Sequence, residues 1–293
     1  MMKRVWLDTD PAIGIKYRDV DDALALLFLL ASPEVELDGI SVTFGNTNVH
    51  NGYGVAGEVL DVARSDVPFY KGAASSKDFG KPTSASEALV KHVAENPGEI
   101  SLVAVGPLTN VATAMTLDKN FVGNLRELIV MGGSLKFWPF SYSWEFNFYM
   151  DGRASSMVMA APIHKTLLTM DVCSQAIFKR EHLEEINRHD SDVARYLAEH
   201  IPSWLNLNRV IFRKGGFYPW DPVAVGYLLD ESMFDKNPVT FSLIEEGMRR
   251  SKILNLKEHD SFDEVDGRIP VNMPRKMEAD RFMKLFIDRL LSL

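Results

Sequence analysis

Five acids, Asp8, Asp10, Asp19, Asp21 and Asp22, crowd residues 8–22. Ahead of them runs the apolar Val5-Trp6-Leu7, and behind them a second apolar stretch begins at Ala23. The acids therefore fall at one strand-to-helix junction. Carboxylates packed together without a cation repel, and each raises the pKa of its neighbours. A hard divalent cation with oxygen ligands resolves that conflict. It also offers chemistry, because a bound cation acidifies water.

Further polar residues recur downstream at regular places. Gly45-Asn46-Thr47-Asn48 follows the second apolar segment, and Gly106-Pro107-Leu108-Thr109-Asn110 follows another. Gly132-Gly133 opens an aromatic-rich loop that ends in Glu145-Phe146-Asn147, and Trp220-Asp221-Pro222 precedes a further apolar run. Each has an ordinary reading. Asp before a helix is commonly an N-cap, Gly-Asn and Gly-Gly are usually turns, and Trp is more often core than ligand-stacking. Their recurrence at successive strand ends, between apolar helices, points to one shared site.

Those strand ends belong to a regular alternation. Strands are predicted over residues 4–7, 35–44, 67–70, 100–105, 125–131 and 165–169. Helices are predicted over residues 21–31, 51–63, 85–95, 108–117 and 151–160. The alternation implies an α/β fold, a single domain over residues 1–293 with a central, mainly parallel sheet flanked by helices. Residues 180–212 read as helical. Residues 239–254 read as a small antiparallel element, and residues 277–291 as a closing amphipathic helix. In such sheets ligands sit outside the carboxyl ends of the strands, where the polar loops converge.

Composition narrows the partners. The chain has 293 residues, a formal net charge of -8 and 46% hydrophobic residues. An acidic surface argues against nucleic acid or an anionic membrane as partner. The apolar run over residues 23–31 is too short to span a bilayer. One cysteine, Cys173, excludes an internal disulfide framework and a Cys-based metal site. With an N-terminus that opens directly into a strand, these features predict a cytoplasmic protein. None of the seven histidines has metal-ligand spacing. GxSxG and GxxxxGK(S/T) motifs are absent, which lowers serine-hydrolase and phosphate-loop readings.

Taken in order, these motifs resemble the nucleoside hydrolase family, which cleaves the N-glycosidic bond of ribonucleosides. The resemblance runs over about residues 5–229. It rests on Asp8-Thr9-Asp10-Pro11 with Asp21-Asp22, Gly45-Asn46, Val105 through Asn110, Met131-Gly132-Gly133, Glu145-Phe146-Asn147 and Asp221-Pro222. It implies the family's Rossmann-like sheet and a Ca²⁺ held by Asp10, Asp22, Asp221 and the Val105 carbonyl, an all-oxygen set suited to that ion. It implies that Asp10 is the general base towards a metal-acidified water attacking C1′, with an oxocarbenium-like transition state. Asp21 and Asn147 would hold the ribose 2′- and 3′-hydroxyls, Asn46 would support them, and Glu145 would hold the 5′-hydroxyl. The partner implied is a small-molecule nucleoside, and the assembly a homodimer or homotetramer.

The chain departs from the family pattern in three places. Residues 14–20 are inserted into a motif that is usually compact, with Ala12 where Gly is usual. Trp220 stands where many inosine–uridine-type members carry a His, as in the purine-specific branch. An indole cannot protonate a leaving group, but it can stack on a purine. A second aromatic wall is then expected from Phe79, with Trp138 and Phe140 as rivals. The loop 134–144 also lacks the Asn usual near the ribose 5′ end, leaving Ser141, Tyr142 or Ser143 to substitute. Purine ribonucleosides are the expected substrates, with pyrimidine or non-specific hydrolysis as the alternative. Rivals outside the family are a HAD-type Mg²⁺ phosphohydrolase, from Asp8-Thr9-Asp10, and a nucleoside-binding protein without turnover. The former leaves Asp21-Asp22, Glu145-Phe146-Asn147 and Trp220-Asp221 without a role.

Overall fold

The structure is a computed structural model that describes residues 2–135, 145–210, 213, 215–247 and 252–293. In chain order the strands are β1 (Lys3–Thr9), β2 (Val35–Val42), β3 (Phe69–Lys71), β4 (Ile100–Ala104), β5 (Glu127–Met131), β6 (Lys165–Leu168), β7 (Phe178–Lys179), β8 (Gly216–Phe217), β9 (Pro238–Leu243), β10 (Ile253–Glu258) and β11 (Val271–Asn272). Nine of them form one sheet in the order β10-β9-β11-β6-β5-β4-β1-β2-β3. The run from β11 to β3 is parallel, and β9 and β10 pair antiparallel at one edge.

Side-chain alternation along the central strands builds two apolar layers. Val5 and Leu7 of β1 join one layer with Val103 of β4 and Ile129 of β5. Trp6 joins the other with Leu102 and Leu128. Trp6 fits only because its neighbour is glycine: a Cβ on Gly39 would lie 2.5 Å from the indole ring. Its Nε1 donates to Ser41 Oγ at 2.7 Å, so the buried N–H is satisfied.

Two helices carry the site's acids. Helix Asp21–Leu30 is buried from Asp21 through Leu29, and helix Trp220–Leu229 from Asp221 through Leu228. Both are apolar all round, so each must sit inside the molecule, and they pack against each other. Their first turns hold Asp21, Asp22 and Asp221, where the helix dipole favours negative charge. Packing of the two helices thus brings Asp21 and Asp221, 200 residues apart in sequence, to one place.

The predicted strands and helices are present, with ends displaced by a residue or two as is usual. The antiparallel element read over residues 239–254 is present as β9 and β10, and β11, which pairs with both β6 and β9, joins it to the main sheet. A separate two-stranded antiparallel sheet does exist, formed by β7 and β8, where Phe178 stacks on Phe217 at 4.8 Å. The helical stretch after residue 180 divides into Arg180–Ile186 and Asp192–Val210. Among the described residues no helix is long and apolar enough to cross a membrane.

Candidate active site

The order of the sheet reverses around β1, which has β2 on one side and β4 on the other. Ligands in such sheets bind at this switch point, beyond the strand carboxyl ends. A cavity of about 120 Å³ opens here, lined by Asp19, Asp21, Asn46, Val105, Met131, Glu145, Phe146, Asn147, Met170, Trp220 and Asp221. One water needs roughly 10–15 Å³, so the cavity admits a larger ligand.

Hydrogen bonds fix the acids beneath it. Asp22 Oδ1 accepts from Thr9 Oγ1 at 2.6 Å and from the Asp10 N–H at 2.9 Å. Asp22 Oδ2 accepts from Asn46 Nδ2 at 2.8 Å. Asp10 Oδ2 accepts from the Asn46 N–H at 2.5 Å. Two glycines close around the Asp10 carboxylate. A Cβ on Gly45 would lie 2.1 Å from Oδ2, and one on Gly106 would lie 2.7 Å from Oδ1. Behind them Asp8 accepts from Asn110 Nδ2 at 2.8 Å, and Asn110 Oδ1 accepts from the Ala73 N–H at 2.8 Å.

Glu145, also on the cavity wall, caps helix Phe146–Met150. Its carboxylate accepts from the backbone N–H groups of Asn147, Phe148 and Gly133 at 2.6, 2.9 and 2.9 Å. Asn147 Nδ2 donates to the Val105 carbonyl at 2.6 Å. That carbonyl keeps a second lone pair. Trp220 is half-buried at the cavity wall, with Tyr218 tilted against it at 4.7 Å.

The electrostatics call for a cation. Burial pushes the carboxyls of Asp10, Asp21 and Asp221 well above the usual range, and the neighbouring acids push them further. Burial raises Asp22 as well, against hydrogen bonds from Thr9 and others. Asp10 Oδ1 is buried without a hydrogen-bond partner. Carboxylate oxygens of Asp21, Asp22 and Asp221 lie within 4.8 Å of one another. This oxygen-only cluster can hold a metal ion, and its donor set suits a hard divalent cation.

Asp21, Asn46, Val105, Glu145, Asn147, Trp220 and Asp221 all line the cavity, with Asp10 and Asp22 directly behind. The cluster that converges is Asp21, Asp22 and Asp221, with Asp10 beside it through Asn46. Phe79 does not line the cavity. It follows the short turn Ser76–Asp78, and its ring takes the Arg153 guanidinium at 4.2 Å. Trp138, Phe140, Ser141, Tyr142 and Ser143 lie outside the described residues. Asp19, one of the five clustered acids, lines the cavity with Met131, Phe146 and Met170, and none of the four had been assigned a role from sequence. An acid just before a helix reads as a cap, which left Asp19 without one. Its Oδ1 does accept from the Val20 N–H, at 2.7 Å.

The family model for inosine-uridine preferring nucleoside hydrolase matches residues 5–284. The chain belongs to the nucleoside hydrolase family. Among its curated relatives is a probable uridine nucleosidase 2 from Arabidopsis thaliana, 27% identical over 99% of this chain and 98% of that one. Another is a pyrimidine-specific ribonucleoside hydrolase, RihA, from Photobacterium profundum, 25% identical over 99% of each chain. Among solved structures, a plant nucleoside hydrolase superposes with a TM-score of 0.88 at 25% identity, over 99% of both chains. A purine-preferring ribonucleoside hydrolase from Gardnerella vaginalis shares the fold, with a TM-score of 0.86 at 22% identity over 99% of this chain and 98% of that one. The acid cluster therefore sits in a member of the nucleoside hydrolase family.

Proposed function

We propose that this chain hydrolyses the N-glycosidic bond of purine ribonucleosides, with Ca²⁺ as its metal. The observation that carries the proposal is the single cavity in which Asp21, Asp221, Asn46 and Asn147 meet the indole of Trp220. Diol-binding groups, metal-ligating acids and a flat apolar wall are the parts a nucleoside requires.

Asp10, Asp22, Asp221 and the Val105 carbonyl would hold the ion, with Asp21 close enough to share it. The chemistry a bound cation supplies is acidification of water at neutral pH. Asp10 Oδ1, buried without a partner, accepts the proton of the attacking water. The water oxygen bonds to C1′, the C1′–N bond breaks, and its electron pair leaves with the base, which takes a proton from solvent. Asp21 and Asn147 hold the ribose 2′- and 3′-hydroxyls, with Asn46 in support. Glu145 orders helix Phe146–Met150 through the three N–H groups it accepts, and reaches the 5′-hydroxyl from the cavity wall. Trp220 stacks on the base and supplies no proton.

A second reading, pyrimidine preference, is favoured by the names of the relatives from Arabidopsis thaliana and Photobacterium profundum. Reducing-sugar release from inosine, adenosine, guanosine, uridine and cytidine separates the two. Release confined to the three purine nucleosides is the expected result. Faster release from uridine or cytidine would overturn the purine assignment and leave nucleoside hydrolysis standing.

A further inference from the structure

Asp19 enters the cavity from the inserted residues 14–20, which are tightly folded. The Ile15 N–H donates to the Ala12 carbonyl at 3.0 Å and the Arg18 N–H to the Ile15 carbonyl at 3.1 Å. Ile13 is 1% exposed and anchors the start of the loop. Gly14 has φ +81° and lies beside the His200 imidazole of helix Asp192–Val210, 3.4 Å from where a Cβ would stand. The insertion thus delivers one side chain, Asp19, to a fixed place on the cavity wall.

There Asp19 is half-buried and lies against the Asp21 carboxyl. Its Oδ1 accepts from the Val20 N–H. It stands outside the trio Asp21, Asp22 and Asp221 whose oxygens converge. A carboxylate has about four acceptor positions, so Asp19, which accepts from the backbone N–H groups of Val20 and Asp21 and lies against the Asp21 carboxyl, keeps room for one more donor. Facing a cavity, that capacity suits a hydroxyl donor on the ligand. Its neighbour Asp21 is the residue that holds the ribose diol in the reading above.

We propose that Asp19 is a further substrate-binding residue, accepting a hydrogen bond from a ribose 2′- or 3′-hydroxyl beside Asp21 and sharpening rejection of deoxyribonucleosides. This rests on the proposed nucleoside hydrolysis. A buried polar site of this kind discriminates by leaving its acceptors unpaired when the hydroxyl is missing.

The test is kcat/KM for the preferred ribonucleoside and its 2′-deoxy and 3′-deoxy analogues, in the wild type, Asp19→Ala and Asp19→Asn. Where an analogue turns over too slowly, its Ki as a competitive inhibitor gives the same comparison. Asp19→Ala is expected to lose about 10- to 100-fold on the ribonucleoside, the effect of one hydrogen bond to a charged group. It should lose less than about 3-fold on the analogue lacking the partner hydroxyl, a residual within the usual context scatter of that same hydrogen bond. Asp19→Asn, which keeps an acceptor oxygen, should fall between. Unchanged melting temperature and Ca²⁺ affinity identify a folded variant. Equal loss on all three substrates, or no loss on any, would overturn the assignment alone. A wild type that releases ribose from no ribonucleoside would overturn the functional reading and this assignment with it.

Discussion

Asp10 is 1% exposed, its Oδ2 is engaged by the Asn46 N–H, and its Oδ1 has no hydrogen-bond partner. An unsatisfied buried carboxylate oxygen costs stability, and a native protein keeps one where a catalytic role or a bound ion uses it. In the proposed mechanism it receives a proton, so Asp10→Asn should lower kcat by about 10²- to 10⁴-fold, the range of general base catalysis. KM should move far less, because Asp10 does not hold the sugar. Steady-state kinetics separate the two. Trp220 has a different task. Trp220→Ala should lower kcat/KM on a purine nucleoside by the roughly 1–3 kcal/mol that a stacked base contributes. Calorimetric Ca²⁺ affinity should be unchanged, and equal loss of both would contradict the stacking role. Their convergence on one place was legible in the sequence because acids, amides and an indole recur at strand ends. The position of Phe79 was not, because spacing along a loop does not say which way a ring turns, and this ring meets the Arg153 guanidinium.

At the scale of elements, the loops after β2 and β4 act as a clamp on one carboxylate through two glycines. Gly106→Ala introduces a methyl 2.7 Å from Asp10 Oδ1 and 2.9 Å from Thr43 Cγ2. Backbone and carboxylate must separate, and catalysis depends on that spacing at the ångström level. Gly106→Ala should therefore lose about 100-fold or more in kcat, while circular dichroism remains that of the wild type. The central strands β4 and β5, and Val5-Trp6-Leu7 of β1, were legible because each is a short, largely apolar run buried on both faces. β7, β8 and β11 were not, because two residues show no period. The short helices Phe146–Met150 and Met170–Cys173, which bring Phe146 and Met170 to the cavity, are equally too brief to read.

Across the whole molecule, the charges buried without counter-ions make stability depend on pH. Burial pushes the Asp8 carboxyl from its usual 3.8 up to about 7. Between those values the folded chain holds a proton that the unfolded chain has released, so metal-free stability falls as pH rises from about 4 to about 7. The raised carboxyls of Asp10, Asp21 and Asp221 act in the same direction. Because protons and cation compete for the acids, Ca²⁺ should raise the melting temperature more at pH 8 than at pH 5. Calorimetric scans at both pH values check this, and a larger gain at pH 5 would contradict it. Lys165 works at the alkaline end. It is 4% exposed, donates to the Ala161 and Ile163 carbonyls, and burial lowers its ammonium pKa from 10.5 to about 8. The unfolded chain holds the extra proton in that window, so stability rises with pH from about 8 to about 10.5. The full change is about 3 kcal/mol. Urea unfolding of Lys165→Met should lack that slope.

The most direct test of the metal-assisted hydrolysis proposed for this cavity is the initial rate of reducing-sugar release from a ribonucleoside before chelation, after it, and after Ca²⁺ is restored. Chelation is expected to cost at least about 100-fold, in keeping with a metal that acidifies water, and Ca²⁺ to restore the rate. A rate that chelation leaves unchanged would contradict it.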